Sequence, residues 1–386
     1  MDFTFNEEQR AVQEAVEGVF AGLVTPERVQ QIEATDDGID RELWAELARA
    51  DLVGLSLPEA YGGGGYGLVE LAIVLEGQGR SVAPVPLWST IVLGAMPLAE
   101  FGSEAVRNEL LPAVVSGDIM LTAALADVAD DIARGGPGRP AVVGKSGADG
   151  VVLSGTAFAV PVAHVADRVL IPATLDDGVV IAVVDPRADG VSMERAVTTN
   201  REVHPHLHLD GVTVPAERLL SGGDPTKGHD VLAWILNRAW TGLCAIQVGV
   251  GEAAVAQTAE YLNTREQFGR PLSTFQGTML RAADAAIDTE SIRVTMWQAA
   301  WRLDSGLDAD LAVSVASWFA AEAGQRVVHA TQHLHGGIGA DISYPIHRYF
   351  LWGKQIELLL GPPSAQLARL GRQLVGELRA GHQVTV

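Results

Sequence analysis

Three short segments in the last third of the chain carry residue types and spacings that could hold an anionic group. In TREQFGRPLSTFQ, residues 264–276, a Thr-Arg-Glu turn is followed by Phe268, Gly269 and Pro271. The turn must interrupt two helices, so it presents Arg265 beside the free N–H groups of a helix start, a pairing suited to a pyrophosphate. QHLHGGIGA, residues 332–340, sets Gly336 next to Gly337. Lacking Cβ atoms, such a pair lets the backbone approach a ligand and face it with N–H groups. YPIHRYF, residues 344–350, opens a further helix with Pro345 near its first turn, where the absent N–H has no partner to lose.

Two other clusters invite a chemical reading and do not sustain it. HPHLHLDGVTVP sets His204, His206 and His208 at alternate positions, on one face of a strand. Metal ligands usually converge from separate elements, and no carboxylate or cysteine pattern joins these three. A solvated strand face is the better reading, and no metal site is expected. YGGGGYG, residues 61–67, lacks the Lys and Ser/Thr that follow the glycines of a phosphate-binding loop; Leu68, Val69 and Glu70 stand there instead. It reads as a flexible connector.

The chain that must position these residues has 386 residues, 48% of them apolar and 19% charged. That length favours two or three packed domains. The net charge of −21 opposes binding to nucleic acid, whose phosphates it would repel. An anionic ligand would need a local cluster of Arg and backbone N–H groups, and the arginines concentrate in the last third. No apolar run approaches the roughly 20 residues of a membrane span, so no membrane partner is expected. The N-terminal MDFTFNEEQR is acidic and unlike a signal peptide. A single cysteine, Cys244, excludes an intrachain disulfide framework. Together these features point to the cytoplasm.

Residues 1–118 read as helical, with Asn6 and Gln9 forming a capping box before Val12, Val16 and Phe20. A second helix follows Asp40, with Leu43, Trp44, Leu47 and Ala48 on one face. From 119 to 224, runs such as VVLSG, RVLIPA and GVVIAVVD between Gly and Asp turns read as an antiparallel sheet domain. From 225 to 386 the pattern is that of long helices in a bundle. One of them carries Leu280, Ala283, Ile287, Val294, Trp297 and Trp301 as an apolar stripe expected to face the interior.

In this order and spacing the segments closely resemble the acyl-CoA dehydrogenase family, over essentially the whole chain. LSGTAFAVPVAHVADRVLIPA and HLHLDGVTVPAERLLSG carry the likeness through the middle. The resemblance implies a multi-domain α+β fold: an N-terminal helical domain, a middle antiparallel β-domain and a C-terminal four-helix bundle. It implies FAD as cofactor and an acyl-CoA thioester as substrate, with a Glu taking the α proton and the flavin accepting the β hydride. In the family, a neighbouring subunit lends the Arg of R-x-x-F-G, a Gln eleven residues on, and a Q-x-x-G-G segment to the flavin's pyrophosphate and adenosine. Carried over, these are Arg265, Phe268, Gln276, Gly336 and Gly337, with His333 in place of that segment's Gln.

Two departures bear on activity. Counting from Tyr344, the family's catalytic Glu falls at Leu360; the alternative position on the first long C-terminal helix falls at Ala239. Neither side chain accepts a proton, so no catalytic residue is assigned. The T-E-P…G-S-D stretch that cradles the flavin in the family is replaced by LADVADD, residues 125–131. Glu357, one turn before Leu360, is the first alternative for a relocated base, ahead of Glu252 and Glu266. DRELWAEL, EQFGRPLSTFQ and YPIHRYFL carry a finer resemblance, to the base-less beta subunit of the α2β2 enzymes with which sterol-degrading actinobacteria act on the cholesterol side chain. That likeness implies a homologous partner subunit carrying the Glu. A homo-oligomeric dehydrogenase using Glu357, and a catalytically dead acyl-CoA-binding scaffold, are the alternatives.

Overall fold

The computed structural model describes residues 4–148, 150–176 and 178–381. Helices α1 (Glu7–Leu23), α2 (Pro26–Glu33), α3 (Arg41–Arg49), α4 (Leu68–Ser81), α5 (Met96–Phe101) and α6 (Glu104–Val115) come first. A π-helical stretch, Trp88–Ala95, precedes α5. Then follow β1 (Leu121–Ala123), α7 (Ala126–Ala133), β2 (Val143–Ser146), β3 (Gly150–Ala157), β4 (Arg168–Leu175), β5 (Gly178–Val184), β6 (Val191–Glu194) and β7 (His206–Pro215). The chain ends in α8 (Gly228–Thr264), a hairpin of β8 (Glu266–Gln267) and β9 (Arg270–Pro271), then α9 (Gln276–Asp304), α10 (Asp310–His335), α11 (Ile346–Leu358) and α12 (Pro363–Arg379). Backbone contacts divide it into two compact units. One holds the residues up to Gln30, Ala72–Ala83 and Trp240 onward; the other holds Gln31–Leu71 and Pro84–Ala239.

The second unit is built on a sheet with strand order β1-β4-β2-β3-β7-β6, β5 pairing β4. Most pairings are antiparallel, but β1 runs parallel to β4 and β2 meets it in parallel at Val143 and Thr174. The sheet is therefore mixed, a feature that strand patterns alone do not show. Pro172 sits in β4 opposite Ile181 of β5, between the residues paired with β1 and the one paired with β2. A residue without an N–H fits there, where the ladder passes from one partner to the next. Asp40 caps α3 by accepting from the Leu43 N–H at 3.0 Å, and Leu43, Trp44 and Leu47 are buried as the periodicity requires.

Two local expectations change here. The glycine run is no flexible connector: Gly63, Gly64, Gly65 and Tyr66 donate their N–H groups to Pro58, Gly54, Leu57 and Leu55, so the backbone is pinned. The three histidines do not share a wet face either. His204 lies before β7, buried, with Nε2 3.2 Å from a Glu202 oxygen. His206 Nδ1 accepts from the Ala159 N–H, and His208 Nδ1 lies 3.0 Å from the Thr156 hydroxyl.

In the first unit, Asn6 and Gln9 form the expected capping box of α1. α4 and α8 touch backbone to backbone. A Cβ on Gly79 would stand 2.0 Å from the Ile246 carbonyl oxygen, and one on Gly249 would stand 2.0 Å from that of Glu76. Glycine at both points is what permits the crossing. Beside it Glu76 accepts from Arg293 at 3.0 Å, and Glu252 accepts from Arg80 at 2.7 Å. Burial pushes the Glu76 carboxyl up to about 7 despite that arginine. α8 is long and apolar enough to cross a bilayer, contrary to the expectation from apolar runs. Most of its apolar window, 83%, is buried inside the protein, so it is a core helix.

The largest correction concerns α9. The stripe expected to face the interior is mostly outside: Leu280, Ile287, Val294 and Trp301 are exposed, and only Trp297 of the large residues is buried. The inner face is made by Ala285, Thr289, Ile292, Met296, Ala299 and Ala300, opposite an α10 rich in Ala. Small residues let these two helices pack closely, and the larger apolar face is left outward.

Candidate functional site

α8 ends at Thr264, and the Arg265 N–H still donates to the Tyr261 carbonyl at 2.8 Å. The chain then reverses through the β8–β9 hairpin, whose corner holds Phe268 at φ +55° and Gly269 at φ +77°. Leu272 closes the loop by donating to the Arg265 carbonyl at 2.9 Å. Arg265 and Phe268 point outward, Phe268 with 92% of its surface exposed. The Phe268 ring meets Phe275 edge-on at 6.2 Å, next to Gln276, the exposed first residue of α9. Arg265 makes no ion pair among the described residues.

α10 stops at His335 because Gly336 takes φ +66° and ψ −142°, a conformation open to glycine alone, and its N–H turns back to the His333 carbonyl. His333, Gly336 and Gly337 are exposed. Nothing lies within 4 Å of where a Cβ on either glycine would stand. All six residues expected to meet a cofactor are thus on the surface, at the ends of α8 and α10 and the start of α9. An exposed guanidinium with no ion pair among the described residues and an uncovered glycine backbone are chemically suited to a diphosphate such as that of FAD.

The two base positions look different. Leu360 is buried at φ +60°, and its carbonyl accepts from the Trp240 indole N–H and the Gln366 amide, both at 3.0 Å. The Arg369 guanidinium stacks on the other side of this arrangement, 3.6 Å from the Trp240 ring centroid. Ala239 is fully buried, and its carbonyl accepts from the Trp88 indole N–H at 3.0 Å. At both positions the polar contact is made by backbone, and neither offers a proton acceptor of carboxylate strength.

The remaining carboxylates are engaged or remote. Glu357 is buried and ion-paired with Lys354 on the same helix. Glu252 is shared by Arg80 and Arg293, and Glu266 lies exposed in the β8–β9 hairpin. Within residues 125–131 most positions join α7. Asp127 accepts from the Ala141 N–H, while Asp131 accepts from those of Gly138 and Arg139. These acids hold their own loop, and burial raises the Asp127 carboxyl above its ordinary range.

Sequence reasoning passed over three rings. Tyr261 stacks on His335 with centroids 4.6 Å apart, and Tyr344 leans on both. One ring belongs to, or lies one helical turn before, each of the three segments first singled out. Their spacing along the chain gave no sign of a contact.

Two regions match known families: the acyl-CoA dehydrogenase N-terminal domain at residues 6–118 and the acyl-CoA dehydrogenase C-terminal domain at residues 226–375. The chain is 38% identical to acyl-CoA dehydrogenase FadE27 of Mycobacterium tuberculosis, over 97% of its own length and 99% of that protein's. Among solved structures it resembles the ChsE4-ChsE5 complex from Mycobacterium tuberculosis (TM-score 0.90, 38% identity), covering 97% of this chain and 99% of the matched one. It also resembles the Tcur3481-Tcur3483 steroid ACAD (TM-score 0.88, 46% identity), with the same coverage.

Proposed function

The chain belongs to the acyl-CoA dehydrogenase family, whose cofactor is FAD, and on that footing we propose that it is the non-catalytic subunit of a two-subunit enzyme. In this reading it assembles with a homologous subunit that carries the catalytic Glu, as an α2β2 heterotetramer in the cytoplasm. The complex introduces a double bond between the α and β carbons of an acyl-CoA thioester. The observation that carries the reading is a contrast. Both family base positions hold buried apolar residues whose carbonyls are taken by indole N–H groups, while the six residues that would serve a neighbour's cofactor are exposed.

Bound FAD supplies the hydride acceptor. This chain supplies Arg265 to neutralise diphosphate charge and the Gly336–Gly337 backbone to approach it, with Phe268, Gln276 and His333 around them. The exposed face of α9 gives such a partner something to cover. Leu280, Ile287, Val294 and Trp301 recur every seven residues, the spacing of a helix-packing seam. A sterol side-chain CoA ester is the substrate class we favour, since a relative of 46% identity is described as a steroid ACAD.

Expressed alone, the chain should be colourless or insoluble; co-expressed with its partner it should give a yellow, active complex with one FAD per heterodimer. A homo-oligomer of this chain that oxidises acyl-CoA, or one FAD per subunit in the complex, overturns the assignment.

A further inference from the structure

We propose that the Tyr261–His335–Tyr344 stack is a positioning device, which holds the Arg265 turn and the Gly336–Gly337 turn in fixed register so that both reach one diphosphate. The proposal rests on the reading that these turns serve a cofactor, and it concerns how their geometry is kept.

The two turns come from different helix ends, and no hydrogen bond between them is found among the described residues. The stack supplies the link. Tyr261 lies one turn before Arg265 on α8 and accepts that residue's N–H on its carbonyl. His335 is the last residue of α10, directly before the glycine-only break at Gly336. Their rings are 4.6 Å apart and inclined by only 24°. Tyr344, just ahead of α11, closes the group at 5.4 Å from His335 and 6.5 Å from Tyr261. Its backbone is fixed as well, its N–H donating to the Asp341 carbonyl and its own carbonyl lying 2.7 Å from His347 Nδ1.

His335 is suited to the middle of such a stack. It is buried, and Nδ1 lies 2.9 Å from the Thr331 carbonyl, which fixes a proton on that nitrogen. Among the described residues Nε2 is buried without a hydrogen-bond partner. Burial lowers the ring's pKa from its ordinary value and favours the neutral form, while the Thr331 contact sets its orientation. A neutral flat ring anchored one residue before a glycine break fixes where the following N–H groups point. No side chain packs over the two glycines, and beyond the Gly336 N–H bond to the His333 carbonyl the stack ties the start of their turn to α8.

The test uses the chain co-purified with its partner and reads FAD affinity, by absorbance retained on dilution and gel filtration, beside the melting temperature of the apo-complex. Tyr261→Leu and Tyr344→Leu should each weaken FAD binding about three- to tenfold, in line with the loss of an aromatic pair. Tyr261→Phe, which keeps the ring, should stay within about twofold. The decisive measurement is a double-mutant cycle. If the stack acts by placing Arg265, Tyr261→Leu should cost little further affinity once Arg265→Ala is present. Full additivity, or a loss of affinity matched by a fall in apo melting temperature and equal in Tyr261→Phe, overturns the positioning role. Arg265→Ala alone reports on the cofactor reading: if that variant binds FAD normally, the turns do not serve a diphosphate, whatever the cycle shows.

Discussion

The ends of α8 and α10 and the surroundings of Leu360 and Ala239 are parts of one chain treated in opposite ways. At the helix ends, Arg265 and the glycine pair stand exposed, with no side chain covering them. At the base positions everything is closed. Indoles of Trp240 and Trp88 fill the space and spend their N–H groups on main-chain carbonyls, and Arg369 stacks over one of them. A buried hydrogen bond to a carbonyl is a stable use of an indole, since leaving the N–H unmet would cost free energy. The difference teaches that Leu360 and Ala239 are enclosed by packing and main-chain hydrogen bonds, whereas Arg265 and the glycine pair stand open to solvent.

The comparison can be broken most forcefully at the closed end. Trp240→Ala removes a buried indole, its hydrogen bond to Leu360 and the partner of Arg369. It should lower stability by about 3–5 kcal/mol, read as a shift of the denaturation midpoint of the complex. A shift near zero would show that Trp240 does not pack as a core residue. At the open end, Arg265→Ala should weaken FAD binding about ten- to a hundredfold, as loss of a charge-assisted contact implies, while sedimentation shows the assembly intact. Unchanged affinity would reduce this segment to a structural turn. The smallest effect belongs to Glu357→Gln. With the base on the partner, turnover should fall less than about twofold, because loss of a true general base costs at least about a hundredfold. A drop of that size at full FAD content would make Glu357 the base and the chain a catalyst in its own right.

Much of the fold was legible without coordinates, because local rules govern it. The capping box at Asn6 and the cap at Asp40 with its Leu43–Trp44–Leu47 face follow from side-chain hydrogen bonds and periodicity that act over a few residues. Arg265 and the Gly336–Gly337 pair could be singled out by type and spacing, and the structure places them exposed at the ends of α8 and α10. Other features were not legible. The stripe on α9 has the right period for a buried face, yet a helix apolar on two sides does not say which side meets its neighbour. The packing decided it: Ala285 clusters with Val327 and Ala330 of α10 and Thr289 lies beside Gly251 of α8, while Leu280 and Ile287 stay exposed. The glycine loop at 61–67 looked mobile because composition does not reveal the four carbonyls that receive its N–H groups. The β1–β4 and β2–β4 parallel pairings join strands far apart in the chain, and hydrophobic alternation carries no direction.

Sequence by itself determined which residues could do chemistry here and that positions 360 and 239 hold Leu and Ala rather than a carboxylate, because these depend on side-chain identity at counted positions. Only the tertiary structure decided that Leu360 and Ala239 sit behind tryptophans, and that Tyr261, His335 and Tyr344 meet as one stack. Both are contacts between segments tens to hundreds of residues apart, and such contacts are set by how helices pack, which no local pattern records.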